Sequence, residues 1–193
     1  MTVNSFVTLF VLILITPLII VVATIWSIVD PSGNGSHLAA RAWARILLWT
    51  SLVRVQVIGG EELDPGESYV FVANHTSAYD ILVLLAYLPF QFRWLAKEEL
   101  FKIPFFGWAM ARVGYIPINR SNPRESARSL IKAAEKIKAG VSVVIFPEGT
   151  RSRDGLIHEF KRGSFTLAVR SGRPLVPVSI SGTHRILPTK TLR

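Results

Sequence analysis

From Phe6 to Ile28 the chain carries no charged side chain. At 1.5 Å per residue this run predicts a helix roughly 35 Å long, enough to span a bilayer's hydrocarbon core or lie buried within it. Pro17 stands where it can kink that helix. Asp30-Pro31-Ser32-Gly33-Asn34-Gly35 is a turn signal, and Ser36 is placed to cap a second helix over residues 37–52. Arg41 and Arg45 share one face of it, while Ala42, Ile46 and Trp49 line another. The second arm either lies at the membrane interface, where Trp43, Trp49 and the arginines suit the depth, or packs on the rest of the chain. Amphipathicity alone leaves both open.

Beyond residue 53 the rhythm changes. Residues 54–58 alternate as a strand, and Asp64-Pro65-Gly66 marks a turn. Residues 69–73 are almost continuously apolar, the pattern of a strand covered on both faces. An apolar helix follows over 81–87, then strands over 92–96 and 113–118. Asn122-Pro123 opens a helix, with Asn as cap and Pro at the first position. Ala127, Leu130, Ile131, Ala134 and Ile137 form its stripe, and Gly140 ends it. Residues 141–146 read as a strand, 165–170 as a short helix stopped by Gly172, and 175–180 as a last strand.

Strands alternating with helices predict an α/β fold, a largely parallel mixed sheet flanked by helices. An N-terminal membrane-associated helical hairpin precedes it. The chain divides into a two-helix anchoring segment, residues 1–53, and a domain over 54–193. The chain stops soon after its last strand, so the reading expects a C-terminally incomplete domain.

Composition narrows the partners. Of 193 residues half are hydrophobic, and the net charge is +9. A basic protein with an apolar end suits anionic membranes or phosphorylated substrates. No zinc-finger spacing or basic-aromatic motif points to nucleic acid. The first five residues lack Lys and Arg, and the apolar run exceeds a leader's core, so it reads as a retained anchor. With no Cys there is no thiol nucleophile, disulfide or thiolate metal site.

In parallel sheets ligands bind beyond the carboxyl ends of the strands. Three polar clusters follow strand-like runs: residues 74–80, Asn119-Arg120, and Pro147-Glu148-Gly149-Thr150-Arg151-Ser152. His75 and Asp80 lie five apart, roughly 140° off one face of a continuous helix. They pair only if His75 precedes the helix and Asp80 sits in its first turn. Otherwise Asp80 is a carboxylate favourable to the helix dipole. If paired, the carboxylate holds one ring nitrogen and leaves the other as a general base. Arg120 and Arg151 are candidates for an anionic group, since guanidinium grips phosphate bidentately. Glu148 binds a substrate hydroxyl or pairs with an arginine, and Gly149 allows a tight turn. His37, His158 and His184 read as surface residues.

Four segments in order resemble the motif blocks of the glycerolipid acyltransferases, the bacterial lysophosphatidate acyltransferases above all. They are Asn74-His75 with Asp80, residues 114–120, residues 146–152 and residues 174–178. The second block often has Asp before its Arg, and here Asn119 stands there. The resemblance implies acyl transfer from acyl-CoA or acyl-carrier protein to the sn-2 hydroxyl of 1-acyl-glycerol-3-phosphate. The product is phosphatidic acid for phospholipid biosynthesis. It implies His75 as general base, Asp80 as its partner, Arg120 and Arg151 at the acceptor phosphate, and Asn74, Glu148, Gly149 and Thr150 in substrate binding. Lys97 adds positive charge from a family-like stretch. No metal or bound cofactor is implied. The partners are the membrane phospholipid and lysophosphatidate, without nucleic acid, and the location is the cytoplasmic face of a bacterial inner membrane. The alternatives are a relative that acylates another lysophospholipid, glycerol-3-phosphate or an aminolipid, and a lipid-binding protein without turnover.

Overall fold

The computed structural model describes residues 3–119 and 122–189. Helix α1 (Val3–Val29) runs through Pro17, and α2 (Asn34–Thr50) folds back along it. Three polar contacts set the hairpin's register. Ser36 Oγ donates to the Ala23 carbonyl at 2.7 Å, Trp43 Nε1 donates to Thr16 Oγ1 at 3.0 Å, and the Thr8 and Ser51 hydroxyls lie 3.3 Å apart. Numbers rise in one arm as they fall in the other, so the arms are antiparallel. Asp30 builds the turn by accepting from the N–H groups of Ser32 and Gly35. The predicted cap Ser36 lies inside α2. Gly33 begins the helix instead, in a left-handed conformation with φ 75°.

The second arm packs on the domain. Ala44, Leu47 and Leu48 are buried, whereas Trp49 is exposed, so the predicted apolar face is not the packed one. Arg41 donates to the carbonyls of Leu88 and Phe90, and Arg45 to that of Ala86, around the end of α3 (Tyr79–Tyr87). Carbonyls left unpaired at a helix C-terminus attract cations, which explains the arginine spacing.

Five strands form the sheet: β1 (Val70–Ala73), β2 (Phe92–Lys97), β3 (Ile116–Ile118), β4 (Ser142–Ile145) and β5 (Leu175–Val178). Their order is β3-β2-β4-β1-β5, and every pairing is parallel. Side chains alternate across β1. Phe71 and Ala73 join Phe92, Trp94 and Leu84 to Ala86 beneath α2 and α3. Val70 and Val72 join Val143, Ala133, Ile137 and Leu167 beneath α5 (Pro123–Lys138) and α6 (Gly163–Ser171). Full burial of each large apolar side chain stabilises by roughly 1.5–3 kcal/mol, so both helical layers are held firmly. Asn122 caps α5 as expected, accepting from the N–H groups of Arg124 and Glu125.

The run of elements also departs from the expected pattern. Residues 54–58 form no strand, since they lie outside the sheet and find no partner ladder. Between β2 and β3 lie a 3-10 helix, Glu98–Lys102, and α4 (Phe106–Arg112), neither of which was expected. A final short helix, α7 (Thr183–Ile186), follows β5.

The hairpin is latched to the sheet by Arg93, which is buried in β2. Its guanidinium donates to the Ser32 carbonyl at 2.9 Å and to Asn34 Oδ1 at 2.7 Å. His37, expected on the surface, is fully buried edge-on to Phe92, and neither ring nitrogen has a partner among the described residues. Burial, aided by Arg93 and Arg41, pushes its pKa down to about 3.

Candidate active site

His75 lies two residues beyond the end of β1, and Asp80 lies in the first turn of α3. The chain turns between them, so residues that a continuous helix would splay apart meet. His75 Nδ1 and Asp80 Oδ2 are 2.8 Å apart. The same oxygen accepts from the backbone N–H groups of Thr76 at 2.7 Å and Ser77 at 2.9 Å. Asp80 is fully buried. Burial pushes its pKa up, but hydrogen bonds from His75 and the two N–H groups, with the Thr183 hydroxyl adding to them, hold it below the usual value. Oδ1 itself meets no donor at hydrogen-bond geometry among the described residues. An ionised Asp80 assigns the proton on the imidazole to Nδ1 and leaves Nε2 as an acceptor.

The ring is fixed from other directions too. Phe146 stacks on it, centroids 3.8 Å apart and planes 12° apart, and Trp94 stacks on Phe146. The main chain of His75 is pinned to the loop after β4. Its N–H donates to Glu148 Oε1 at 2.7 Å, and its carbonyl accepts from Ser152 N–H at 2.8 Å. Glu148 Oε2 accepts from the N–H of His158 at 3.2 Å. Glu148 is thus a buried carboxylate that ties the backbones of His75 and His158 together. Asn74 works similarly: its amide exchanges two hydrogen bonds with the backbone of Ile180, at 2.9 and 2.7 Å.

A cavity of about 470 Å³ adjoins this pair. His75, Lys97, Gly149, Thr150 and Arg151 line it from the strand ends. Apolar side chains of α1, α2, α3 and α4, among them Ile20, Ala40, Leu85 and Met110, line the rest. Lys97 pairs with Glu99 at 3.1 Å, with both side chains largely exposed. The cavity is therefore apolar along the helices and cationic beside the histidine. It suits a ligand with a hydrocarbon tail and an anionic head.

Of the residues singled out from sequence, His75, Lys97, Gly149, Thr150 and Arg151 line the cavity, and Asp80 stands behind His75. Asn74 and Glu148 sit outside the lining and hold loops. Arg120 lies outside the described residues. Two neighbours escaped the sequence reading. Phe146 ends a predicted strand and begins the third motif segment, but nothing in the local sequence gives its ring a role. Lys161 folds back so that a Cβ on Gly149, whose φ is 75°, would come within 2.8 Å of its ammonium. Only the loop's path brings a lysine twelve residues away to that glycine.

Similarity to known proteins agrees with this geometry. The Acyltransferase family profile matches residues 54–181. A chloroplast 1-acyl-sn-glycerol-3-phosphate acyltransferase of Brassica napus is 40% identical over 154 residues, 79% of this chain and 44% of that one. The enzyme of the same name from Borreliella burgdorferi is 34% identical over 77% of this chain and 60% of its own length. The chain thus spans about half the length of these curated relatives. The crystal structure of the 1-acyl-sn-glycerophosphate acyltransferase PlsC from Thermotoga maritima superposes with a TM-score of 0.82 at 30% identity, covering 98% of this chain and 78% of that one.

Proposed function

Because the chain belongs to the Acyltransferase family, we propose that it transfers a fatty acyl group to the sn-2 hydroxyl of 1-acyl-glycerol-3-phosphate, giving phosphatidic acid. The donor is the thioester of coenzyme A or of acyl-carrier protein. His75 Nε2 accepts the hydroxyl proton as the oxygen attacks the thioester carbonyl. Ionised Asp80 stabilises the imidazolium. The tetrahedral intermediate collapses, the carbon–sulfur bond breaks, and the imidazolium returns its proton to the leaving thiolate. Lys97 and Arg151 hold the acceptor phosphate, with Arg120 proposed to join them, and Gly149 and Thr150 border the glycerol. Asn74 and Glu148 serve this reaction by fixing the backbone on either side of His75. The apolar cavity wall takes an acyl chain. Helix α1 keeps the cleft at the bilayer, and we place the domain on the cytoplasmic side with the thioester donors.

The observation that carries this reading is a His–Asp pair opening onto one cavity that is cationic beside the histidine and apolar beyond it. Purified protein is incubated with labelled acyl-CoA or acyl-carrier protein and a panel of lysolipids in vesicles. Label is expected in phosphatidic acid, and not when His75 is Ala. Preferred acylation of a lysolipid without phosphate would move the acceptor assignment; no transfer to any acceptor would leave a lipid-binding protein.

A further inference from the structure

Helix α4 divides its side chains. Gly107, Ala109 and Met110 are buried, and Ala109 and Met110 line the cavity. The other face, with the preceding turn, is apolar and bare. Phe105 is 79% exposed, Trp108 47% and Ile103 46%, with Leu100 and Phe106 partly exposed beside them. Phe105, Trp108 and Arg112 fall at intervals of three and four along one stripe. The Arg112 guanidinium lies 5.1 Å from the centre of the Trp108 ring, and Lys102, exposed and 3.9 Å from the Glu98 carboxylate, extends from the neighbouring 3-10 turn. A contiguous apolar patch edged by cations marks a contact site rather than scattered surface residues.

The backbone makes this patch rigid. Phe106 N–H donates to the Pro104 carbonyl, Gly107 N–H to Ile103, and Ala109 N–H to Phe105, at 2.7, 2.8 and 2.9 Å. Gly107 packs so closely on Phe101 that a Cβ would overlap the Phe101 carbonyl. Phe105 has a φ of 60°, a conformation that costs a bulky side chain free energy. Such strain persists only where surrounding structure imposes it, and it draws attention to the residue as functional. The patch also continues α1. The two helices are in contact, and the α1–α2 turn at Gly33 sits against the Val113 carbonyl at the end of α4. Along α1, Phe10, Leu14, Leu18 and Ile25 are exposed as well.

We propose that the Leu100–Arg112 knuckle is a second membrane-inserting element, seated in the same leaflet as α1. Phe105 and Ile103 enter the acyl region, and Trp108, with Arg112 stacked on it, stays with Lys102 at the level of the anionic headgroups. Tryptophan and basic side chains take that depth at a bilayer surface. The wall of the cavity formed by Leu100 and Phe106 then borders the leaflet, so an acyl tail passes between α1 and α4 without crossing water. This rests on the membrane reading given above.

The chain has no Cys, so Phe105→Cys and, separately, Trp108→Cys each accept one nitroxide label in the full-length protein. Leu18→Cys reports on α1 and Lys138→Cys on an exposed helix end away from the patch. Collision with oxygen and with a water-soluble nickel chelate is measured before and after binding to phosphatidylcholine vesicles containing phosphatidylglycerol. The oxygen-to-nickel ratio is expected to rise several-fold at 105 and 18, to rise less at 108, and to stay unchanged at 138. Nickel access at 105 and 108 with protection at 18 overturns the second element and leaves the anchor standing. Nickel access at all four positions overturns both. Immobilisation at 105 and 108 only after adding acyl-carrier protein overturns insertion in favour of a protein-docking face.

Discussion

At the scale of single residues, Asp80 sets the behaviour of the site. Its Oδ2 takes three hydrogen bonds while Oδ1 takes none of good geometry among the described residues. An Asn with its carbonyl oxygen at the Oδ2 position keeps all three, loses the charge, and buries an NH₂ at the Oδ1 position, where an unsatisfied donor costs ~1–3 kcal/mol. Asp80→Asn is therefore expected to fold with a lowered melting temperature and to lose kcat, with little change in acceptor KM, in steady-state assays. His75→Ala removes the proposed base, and a loss of ~10²–10⁴-fold in acyl transfer is expected. Wild-type turnover in either folded variant would contradict the roles assigned here. His37 produces a different signal. Its folded pKa is about 3 against 6.5 when unfolded. The unfolded chain therefore binds the extra proton first, so stability falls as pH drops below the unfolded value and keeps falling toward the folded one. Thermal melts between pH 7 and 4 should show this decline, and His37→Phe should flatten it, since no hydrogen bond to a described residue is lost. The folded-state depression of Asp80 acts in the same direction but lower, below the ordinary carboxylate range. That separation in pH distinguishes the two groups.

At the scale of elements, the site depends on loops tied to one another. Glu148 accepts a backbone N–H with each oxygen. Glu148→Gln must turn an NH₂ toward the N–H of His75 or His158. Leaving a buried donor unsatisfied costs ~1–3 kcal/mol. The expected result is a lower melting temperature together with reduced kcat, because the hydrogen bond that ties the loop also holds the backbone of His75. A change in acceptor KM alone, with unchanged stability, would instead make Glu148 a substrate ligand. The elements also show where one-dimensional patterns mislead. Residues 54–58 alternate like a strand, but the pattern does not say that a sheet edge will be available. The stretch before β3 carries Gly107, Pro104 and a mixed apolar run, so α4 has no clean period to betray it. Arg41 and Arg45 are read correctly as one helix face, yet their partners are carbonyls at the end of another helix more than forty residues away.

At the scale of the whole molecule, α1 and α2 have different attachments. Helix α1 is largely exposed and apolar, whereas α2 contributes Ala44 and Leu48 to the sheet's core and is latched through Arg93. High salt screens surface charge but leaves apolar burial intact. The full-length protein is expected to stay with membranes pelleted after a high-salt wash. Deleting residues 1–52 strips α2 from the core as well. That deletion should yield an unstable, aggregating domain rather than a soluble one, as judged by size-exclusion chromatography. Recovery of a monodisperse, cooperatively melting fragment would show that α2 is dispensable to the fold.

Apolar periodicity by itself determined the uncharged N-terminal helix, the buried strands of a parallel sheet and the capped α5, because burial and capping act on neighbouring residues. The order of the motif segments likewise identified the His–Asp pair, since both members lie within one turn of chain. Tertiary structure alone decided the rest. It placed Phe146 and Trp94 in a stack beneath the His75 ring, turned Glu148 and Asn74 toward backbone, buried His37 and brought Lys161 over Gly149. Those outcomes depend on which strands become neighbours and where their loops return. Such long-range contacts are set by packing of the whole core, and no local pattern of residues encodes them.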